Sequence, residues 1–456
     1  MGLETFLPCT SFWSTLRAMK YSNGKSYLSF TVLRYAKVLC LKSILIFLVA
    51  SCTVPFKRPV NTTNETIVIE NETIANEEAI REEALAVHGS LHKPILGIER
   101  LHLFMDSLVD KRIAVVSNQT SMVNNTHLVD TLLAMKLNVV KVFAPEHGFR
   151  GEADAGEKVH STVDVKTGLP LISLYGNNKK PTYDQLVDVD IVIYDIQDVG
   201  VRFYTYISTL HYVMEACAEN KKQMIVLDRP NPNGHYIDGP IREPQHRSFV
   251  GMHPVPIVYG MTIGEYAMMV NGESWLRDSL VCSLWVIPCK YYTHKTNYVL
   301  PVAPSPNLKS EVAITMYPSL CMFEATTVSV GRGTDRPFEM YGHPKFPIDE
   351  FSFIPTSRAG AKSPMYENRI CNGYDLQEHN QKRKYEINLN YLIRAKQLLG
   401  DTVNFINQPG FFDRLAGTSS LRIQIEKGWS AKEIRAQWKP GLDAFKTVRS
   451  KYLLYP

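Results

Sequence analysis

Residues 112–117 read RIAVVS and residues 139–144 read VVKVFA, with Leu128, Val129, Leu132 and Leu133 at helical spacing between them. Two short apolar runs around an amphipathic segment suit a buried strand, a helix and a second buried strand. The pattern then repeats. Leu171 to Tyr175 and Ile191 to Ile196 read as further strands, and Ile207, Leu210, Met214 and Cys217 share one face of a long helix. Met224 to Leu227 is the next strand. This alternation predicts an α/β fold, a doubly wound, largely parallel sheet with helices on both sides. Such sheets place their chemistry at the carboxyl ends of their strands.

On the C-terminal side the texture changes after about Val330. Pro and aromatic residues punctuate Phe338 to Pro355, and helical patterns dominate from Tyr391 onward. Ser430-Ala431-Lys432-Glu433 is a capping box, with Ile434 and Trp438 continuing its apolar face. Pro440 is expected to break or restart that helix. This half reads as a smaller α+β domain closing one side of a cleft.

On the N-terminal side a basic stretch precedes an apolar run from Leu41 to Cys52 that is too short to span a membrane comfortably. Its end, Val49-Ala50-Ser51-Cys52, resembles a bacterial lipobox, in which the signal is cut before a cysteine that is then lipidated. Cys52 is thus the expected lipid attachment site; the bland alternative is an ordinary cleaved signal. Seven glutamates lie between Glu65 and Glu83, and no aromatic lies between Phe56 and Ser90. That composition suits a tether. The expected organisation is a leader over 1–52, an acidic tether over 53–93, a catalytic domain over 94–330 and an auxiliary domain over 331–456. A cell-envelope location follows, lipid-anchored on the periplasmic side or the outer-membrane surface.

With 45% hydrophobic and 21% charged residues the 456-residue chain has ordinary globular composition. The formal net charge of +5 is inflated by the leader. No basic stripe with interleaved aromatics marks the body, so nucleic acid is not an expected partner. Outside the leader stand Cys217, Cys282, Cys289, Cys321 and Cys371, none at metal-binding spacing. Buried thiols are the default, and a Cys282–Cys289 bridge is the alternative.

Polar loops follow four of the expected strands. They begin at Asn118-Gln119-Thr120, at Pro145-Glu146-His147-Gly148, at Asp195-Ile196-Gln197-Asp198 running on to Arg202, Tyr204 and Tyr206, and at Asp228-Arg229-Pro230-Asn231. Four such loops on one sheet edge describe a pocket. GxGxxG after the first strand, GxxxxGK[ST], GxSxG and HExxH are all absent, which turns the reading away from dinucleotide, P-loop, serine-esterase and zincin chemistry. No cofactor or metal is expected, although Glu146 and His147 with Asp195 or Asp228 include metal-ligand types.

Carboxylates, Arg, Asn and Tyr around a pocket suit a polyhydroxylated, partly anionic substrate. Glycoside cleavage needs a carboxylic acid to protonate the leaving oxygen and a second group to supply or activate a nucleophile. Glu146 is the best candidate acid; its alternative is a structural pairing with Arg150. Asp195 and Asp198 are candidates for the second role, against capping the helix that starts near Tyr204 or pairing with Arg202. His147 either orients Glu146 or touches substrate, and Tyr204 and Tyr206 either stack on sugar faces or pack in the core.

PEHGFRGEADAG (Pro145 to Gly156), DIQDVGVRFYTY (Asp195 to Tyr206), LDRPNP (Leu227 to Pro232) and GRGTDRPFE (Gly331 to Glu339) carry a family resemblance. The chain resembles the exo-β-N-acetylmuramidases of the NamZ type, from about Pro94 to its C-terminal end. The resemblance implies a Rossmann-like domain beside a smaller auxiliary domain, with the active site in the cleft between them. It implies release of N-acetylmuramic acid from the non-reducing end of peptidoglycan fragments, and Glu146 holds the place of the family's proposed catalytic glutamate. On this reading Asn118, His147, Tyr204, Asp228 and Asn231 are further substrate-binding candidates. Arg202, Arg229 or Arg332 would meet the lactyl carboxylate. A surface lipoprotein that binds muropeptides or other glycans without cleaving them is the competing class, and a metal-dependent amidase or esterase is a third.

Overall fold

Ile113, Val115, Ile191, Ile193, Ile225 and Leu227 are buried in one apolar cluster. Ala114, Val116, Val192, Tyr194, Met224 and Val226 are buried in another. Alternate residues of three strands therefore pack against opposite faces of one sheet, and both faces are covered. That is why these strands read as unbroken apolar runs rather than as an in–out alternation.

The computed structural model describes residues 92–149, 162–377 and 384–456, all of which belong to one compact unit. The expected leader with Cys52, residues 53–91 of the tether, and Arg150 with the remainder of its motif lie outside the described residues.

In chain order the strands are β1 (Ile113–Ser117), β2 (Met122–Val123), β3 (Thr126–His127), β4 (Val139–Ala144), β5 (Thr162–Val163), β6 (Pro170–Ser173), β7 (Ile191–Asp195), β8 (Gln223–Leu227) and β9 (Ser283–Ile287). β2 and β3 form a small hairpin, and the other seven strands form one sheet in the order β5-β6-β4-β1-β7-β8-β9. All its pairings are parallel except that of β5 with β6. Leaving β5 aside, the order is that of a doubly wound dinucleotide-type sheet, with its switch point between β1 and β7. At that edge the chain runs left to β4 and β6 and then returns to β7, so the loops after β1, β4, β6 and β7 surround one crevice.

The C-terminal part adds β10 (Met340–His343), β11 (Ser352–Phe353) and β12 (Cys371–Asp375) as a three-stranded antiparallel sheet in the order β10-β12-β11. The helices Asn390–Leu399, Pro409–Ala416, Ser420–Glu426 and Ala431–Arg449 follow. Phe412, Leu415, Ile434, Trp438 and Phe445 belong to the same buried cluster as Ala114 and Tyr194. The two parts thus share apolar core.

Two local expectations need correction. The helix Ala431–Arg449 runs through Pro440 without a break. Its start is fixed by the expected capping box, and its buried Ile434, Trp438 and Phe445 lie on both sides of the proline. Packing on both flanks outweighs the one backbone hydrogen bond that the ring removes. Cys282 and Cys289 form no bridge, and the five described cysteines are free and buried. These two residues flank strand β9, and a strand advances about 3.3 Å per residue, which holds the two thiols far beyond disulfide reach.

Candidate active site

The chain leaves β4 through Pro145-Glu146-His147-Gly148, a tight turn closed by the Gly148 N–H donating to the Pro145 carbonyl at 3.0 Å. His147 sits at φ 69° and Gly148 at φ 77°. A left-handed conformation is uncommon for a residue with a side chain, and it marks a position over-determined by its surroundings. The turn brings the half-buried Glu146 to the lip of a cavity of about 690 Å³. That volume lies within the range of small-molecule sites.

A hydroxyl holds the Glu146 carboxyl: Thr205 Oγ1 donates to Oε2 at 2.7 Å. The Tyr175 hydroxyl lies within electrostatic reach of the same carboxyl. Thr205 immediately precedes the helix Tyr206–Glu219, and Tyr175 follows β6. Burial first, and Glu146 second, push the Tyr175 hydroxyl above its ordinary value, so it keeps its proton. A hydroxyl can donate to a carboxylate or accept from a carboxylic acid. Thr205 can therefore serve Glu146 in both protonation states, as a group that gives and takes a proton requires.

The C-terminal part supplies the far wall. Glu324, Arg332, Phe338 and Lys362 all line the cavity. Arg332 donates through Nε to Glu324 Oε1 at 2.5 Å, and its guanidinium carbon lies 5.1 Å from the centre of the Phe338 ring. This fixes the plane of the guanidinium while engaging only its inner nitrogen. Of the three candidate arginines, Arg332 alone lines the cavity. Arg202 is fully buried and donates to four carbonyls, those of Pro240, Val255, Leu415 and Ala416, at 2.6–3.0 Å. Two of these end the helix Pro409–Ala416, so the side chain works as a cation at a helix C-terminus, joining the two parts of the fold. The fit is close: a Cβ on Gly417 would lie 2.6 Å from Arg202 Nη2. Arg229 makes a two-pronged pair with Asp195, at 2.6 and 2.9 Å.

The remaining expected residues divide in the same way. His147, Tyr204 and Tyr206 line the cavity with Glu146. The two tyrosine rings meet edge to face at 4.8 Å, and both hydroxyls donate to the Pro304 carbonyl. Asn118 is buried behind them, donating to the Tyr206 hydroxyl at 2.9 Å.

Asp195, expected as a catalytic partner, is fully buried under the crevice and closed off by Arg229. Asp198 is also buried, accepting from the Gly200 N–H at 2.7 Å and from the Tyr259 hydroxyl. Burial pushes it up to about 6 against those two donors. Neither aspartate caps the helix at Tyr206 or pairs with Arg202; the side-chain partner of each, Arg229 or Tyr259, is far along the chain. Asp228 accepts from the Gly264 N–H, the Thr262 hydroxyl and the Tyr455 hydroxyl at 2.5–2.8 Å. It therefore organises the start of the helix Ile263–Gly272 and the C-terminal segment, and burial pushes it up to about 6. Asn231 donates to the Met261 carbonyl and accepts from the Asn233 N–H, both at 2.8 Å. None of these lines the cavity.

Tyr175, Thr205 and Glu324 were missed by sequence reasoning. The first follows a strand end whose loop was not weighed with the other four. Thr205 lies inside a quoted motif but draws no notice between two tyrosines. Glu324 sits in a short 3-10 turn, Cys321–Ala325, with no motif around it.

Together these features define a class: a Rossmann-like α/β protein with the Glu146 carboxyl on a hydroxyl, in a cavity walled by an α+β part. The comparisons with known proteins agree. The family described as exo-beta-N-acetylmuramidase NamZ, N-terminal, matches residues 113–312, and its C-terminal counterpart matches residues 315–455. The chain is 39% identical over 374 residues to the peptidoglycan beta-N-acetylmuramidase NamZ of Bacillus subtilis (strain 168), covering 77% of this chain and 89% of that one. Two crystal structures of DUF1343 family proteins from Bacteroides fragilis NCTC 9343 share the fold. One has 48% identity and a TM-score of 0.73, the other 29% and 0.68, each covering 80% of this chain and 99% of its own. This chain belongs to the NamZ exo-β-N-acetylmuramidase family.

Proposed function

We propose that the protein is an exo-acting glycosidase that releases N-acetylmuramic acid from the non-reducing end of peptidoglycan fragments, with Glu146 as its proton-transferring group. The observation that carries the reading is the Glu146 carboxyl held by Thr205 on a cavity that Tyr175 also lines, in a chain of this family. Glu146 protonates the departing glycosidic oxygen, and the Thr205 hydroxyl keeps it aimed as its charge changes. Tyr204, Tyr206 and Phe338 are buried in the cavity wall and shape it. Arg332 meets the lactyl carboxylate, the group that distinguishes N-acetylmuramic acid from N-acetylglucosamine, with the terminal nitrogens that Glu324 leaves unengaged. Incubation with a muramic-acid-ended disaccharide and with a chromogenic N-acetylmuraminide tests the reading. One free N-acetylmuramic acid per cleavage is expected, and a protein that only binds glycans releases none.

The same reading places the enzyme at the cell envelope, held by lipid on Cys52 through the acidic tether. Loss of fatty-acid labelling in Cys52→Ala is the expected result; retained labelling would refute the anchor.

A further inference from the structure

A second cavity, of about 560 Å³, opens beside the first. It is lined by His211, Tyr212 and Glu215 from the helix Tyr206–Glu219, by Arg247, and by the loop Ser274 to Asp278. Nothing in the proposed chemistry uses it. Two chain segments connect the cavities. The helix contributes Tyr206 to the first and Tyr212 to the second, six residues or about 9 Å apart along its axis. The short segment Arg247 to Val250 gives Arg247 to the second cavity and Phe249 and Val250 to the first.

Aromatic rings mark the path. Tyr175, which lines the first cavity with Glu146, lies 6.0 Å from the Phe249 ring. Phe249 stacks on Tyr212 at 6.4 Å with 18° between the planes. Tyr212 and Trp275 both line the second cavity, and all four rings are half-buried rather than sealed in the core. Trp275 is held from behind by His253, stacked at 4.9 Å and 21°. His253 is in turn hydrogen-bonded to His211 at 3.0 Å and to the Tyr266 hydroxyl at 2.9 Å. His211 is almost fully buried and its Nε2 has no hydrogen-bond partner, its nearest charged neighbour being Glu215 at 3.5 Å. Ser274 and Asp278 both take left-handed conformations, at φ 55° and 54°. Such conformations persist only where the surroundings enforce them.

We infer that the second cavity is a binding site for the glycan chain on the leaving side of the scissile bond, reached along Tyr175, Phe249, Tyr212 and Trp275. The inference rests on the muramidase reading. An exo-enzyme that takes one terminal sugar into a walled cavity must let the rest of the chain out past its lip. The stripe begins at the lip, beside the group that protonates the departing oxygen. Pyranose rings present C–H faces that pack on aromatic rings, while their hydroxyl and acetamido groups need donors and acceptors. Arg247, Arg277 and Glu215 stand beside Tyr212 and Trp275 to supply both. The ligand class is therefore a β-linked amino-sugar oligomer, bound with its reducing end toward Trp275.

The test compares Trp275→Ala, Trp275→Phe and Tyr212→Ala with the parent on a short substrate, the chromogenic N-acetylmuraminide, and on a glycan-strand fragment of several sugars. Kinetic constants on the short substrate should be unchanged, which also reports folding. KM on the long fragment should rise roughly three- to tenfold in each alanine variant, with kcat retained, the size of one aromatic contact. Trp275→Phe should recover most of the loss. An unchanged KM on the long fragment in both alanine variants overturns the inference. So does an equal rise on both substrates. Calorimetric titration of the long fragment into Glu146→Gln, with and without Trp275→Ala, reads binding without turnover. Should the parent cleave neither substrate, the muramidase reading fails while this titration still decides the groove.

Discussion

The turn after β4 and the ends of β7 and β8 look alike in sequence and differ in burial. Each carries acidic residues at a carboxyl strand end in a loop rich in Gly, Pro and Arg. After β4 the carboxyl of Glu146 lies on the cavity and accepts from the Thr205 hydroxyl. At the ends of β7 and β8, Asp195, Asp198 and Asp228 are buried and matched to Arg229, Tyr259, Tyr455 and backbone N–H groups. The sheet edge thus has one carboxyl on the cavity and a set of buried carboxyls beneath it. A polar motif at a strand end does not say which of these it builds; the partner, often far along the chain, decides.

The comparison can be broken most forcefully at Arg229. Replacing it by Met leaves the Asp195 carboxylate buried without its cation, a change that costs about 3–5 kcal/mol. The expected outcome is a large fall in melting temperature with activity per folded molecule largely retained. A variant that melts like the parent would show that Asp195 is not the buried load that its geometry indicates.

Asp198 tests the scaffold through pH. Burial raises it from 3.8 to about 6 in the fold, so the unfolded chain releases this proton first. Its contribution is therefore fully present below about pH 3.8 and is lost as pH rises through about 6. The shift corresponds to at most about 3 kcal/mol. In Asp198→Asn, stability relative to the parent should rise between those two pH values and then level off. A constant difference across that window would contradict the assignment.

Arg332 tests the cavity side. Arg332→Met should leave melting little changed and should erode the preference for muraminide over glucosaminide about ten- to hundredfold, the value of a charge-assisted bond of roughly 1.5–3 kcal/mol. Side-by-side kcat/KM values for the two sugars give the answer. An unchanged ratio moves recognition to Lys362 or to backbone donors.

The fold was largely legible because buried parallel strands write themselves as apolar runs, as in RIAVVS and IVIYDI. The strand β9 was not named although Leu284 to Ile287 is an apolar run; Ser283 to Val286 are only partly buried or exposed, as suits an edge strand. Pro440 misled because local propensity yields to packing on both flanks. In the site, Glu146 could be read from its motif, whereas its holder Thr205 lies 59 residues away. The pairing of Asp195 with Arg229 joins the ends of neighbouring strands 34 residues apart. Nothing in the local sequence reveals that each satisfies the other and that neither lines the cavity.

The most direct test sets Glu146→Gln beside Asp195→Asn in one assay of chromogenic muraminide release, at a temperature where both are folded. Glu146→Gln should melt like the parent and lose roughly 10²–10⁴-fold in turnover. Asp195→Asn should melt earlier and keep most of its turnover per folded molecule. A folded Asp195→Asn with the same loss, or a Glu146→Gln with near-normal turnover, would contradict the division of the sheet edge into a working carboxyl and a buried scaffold.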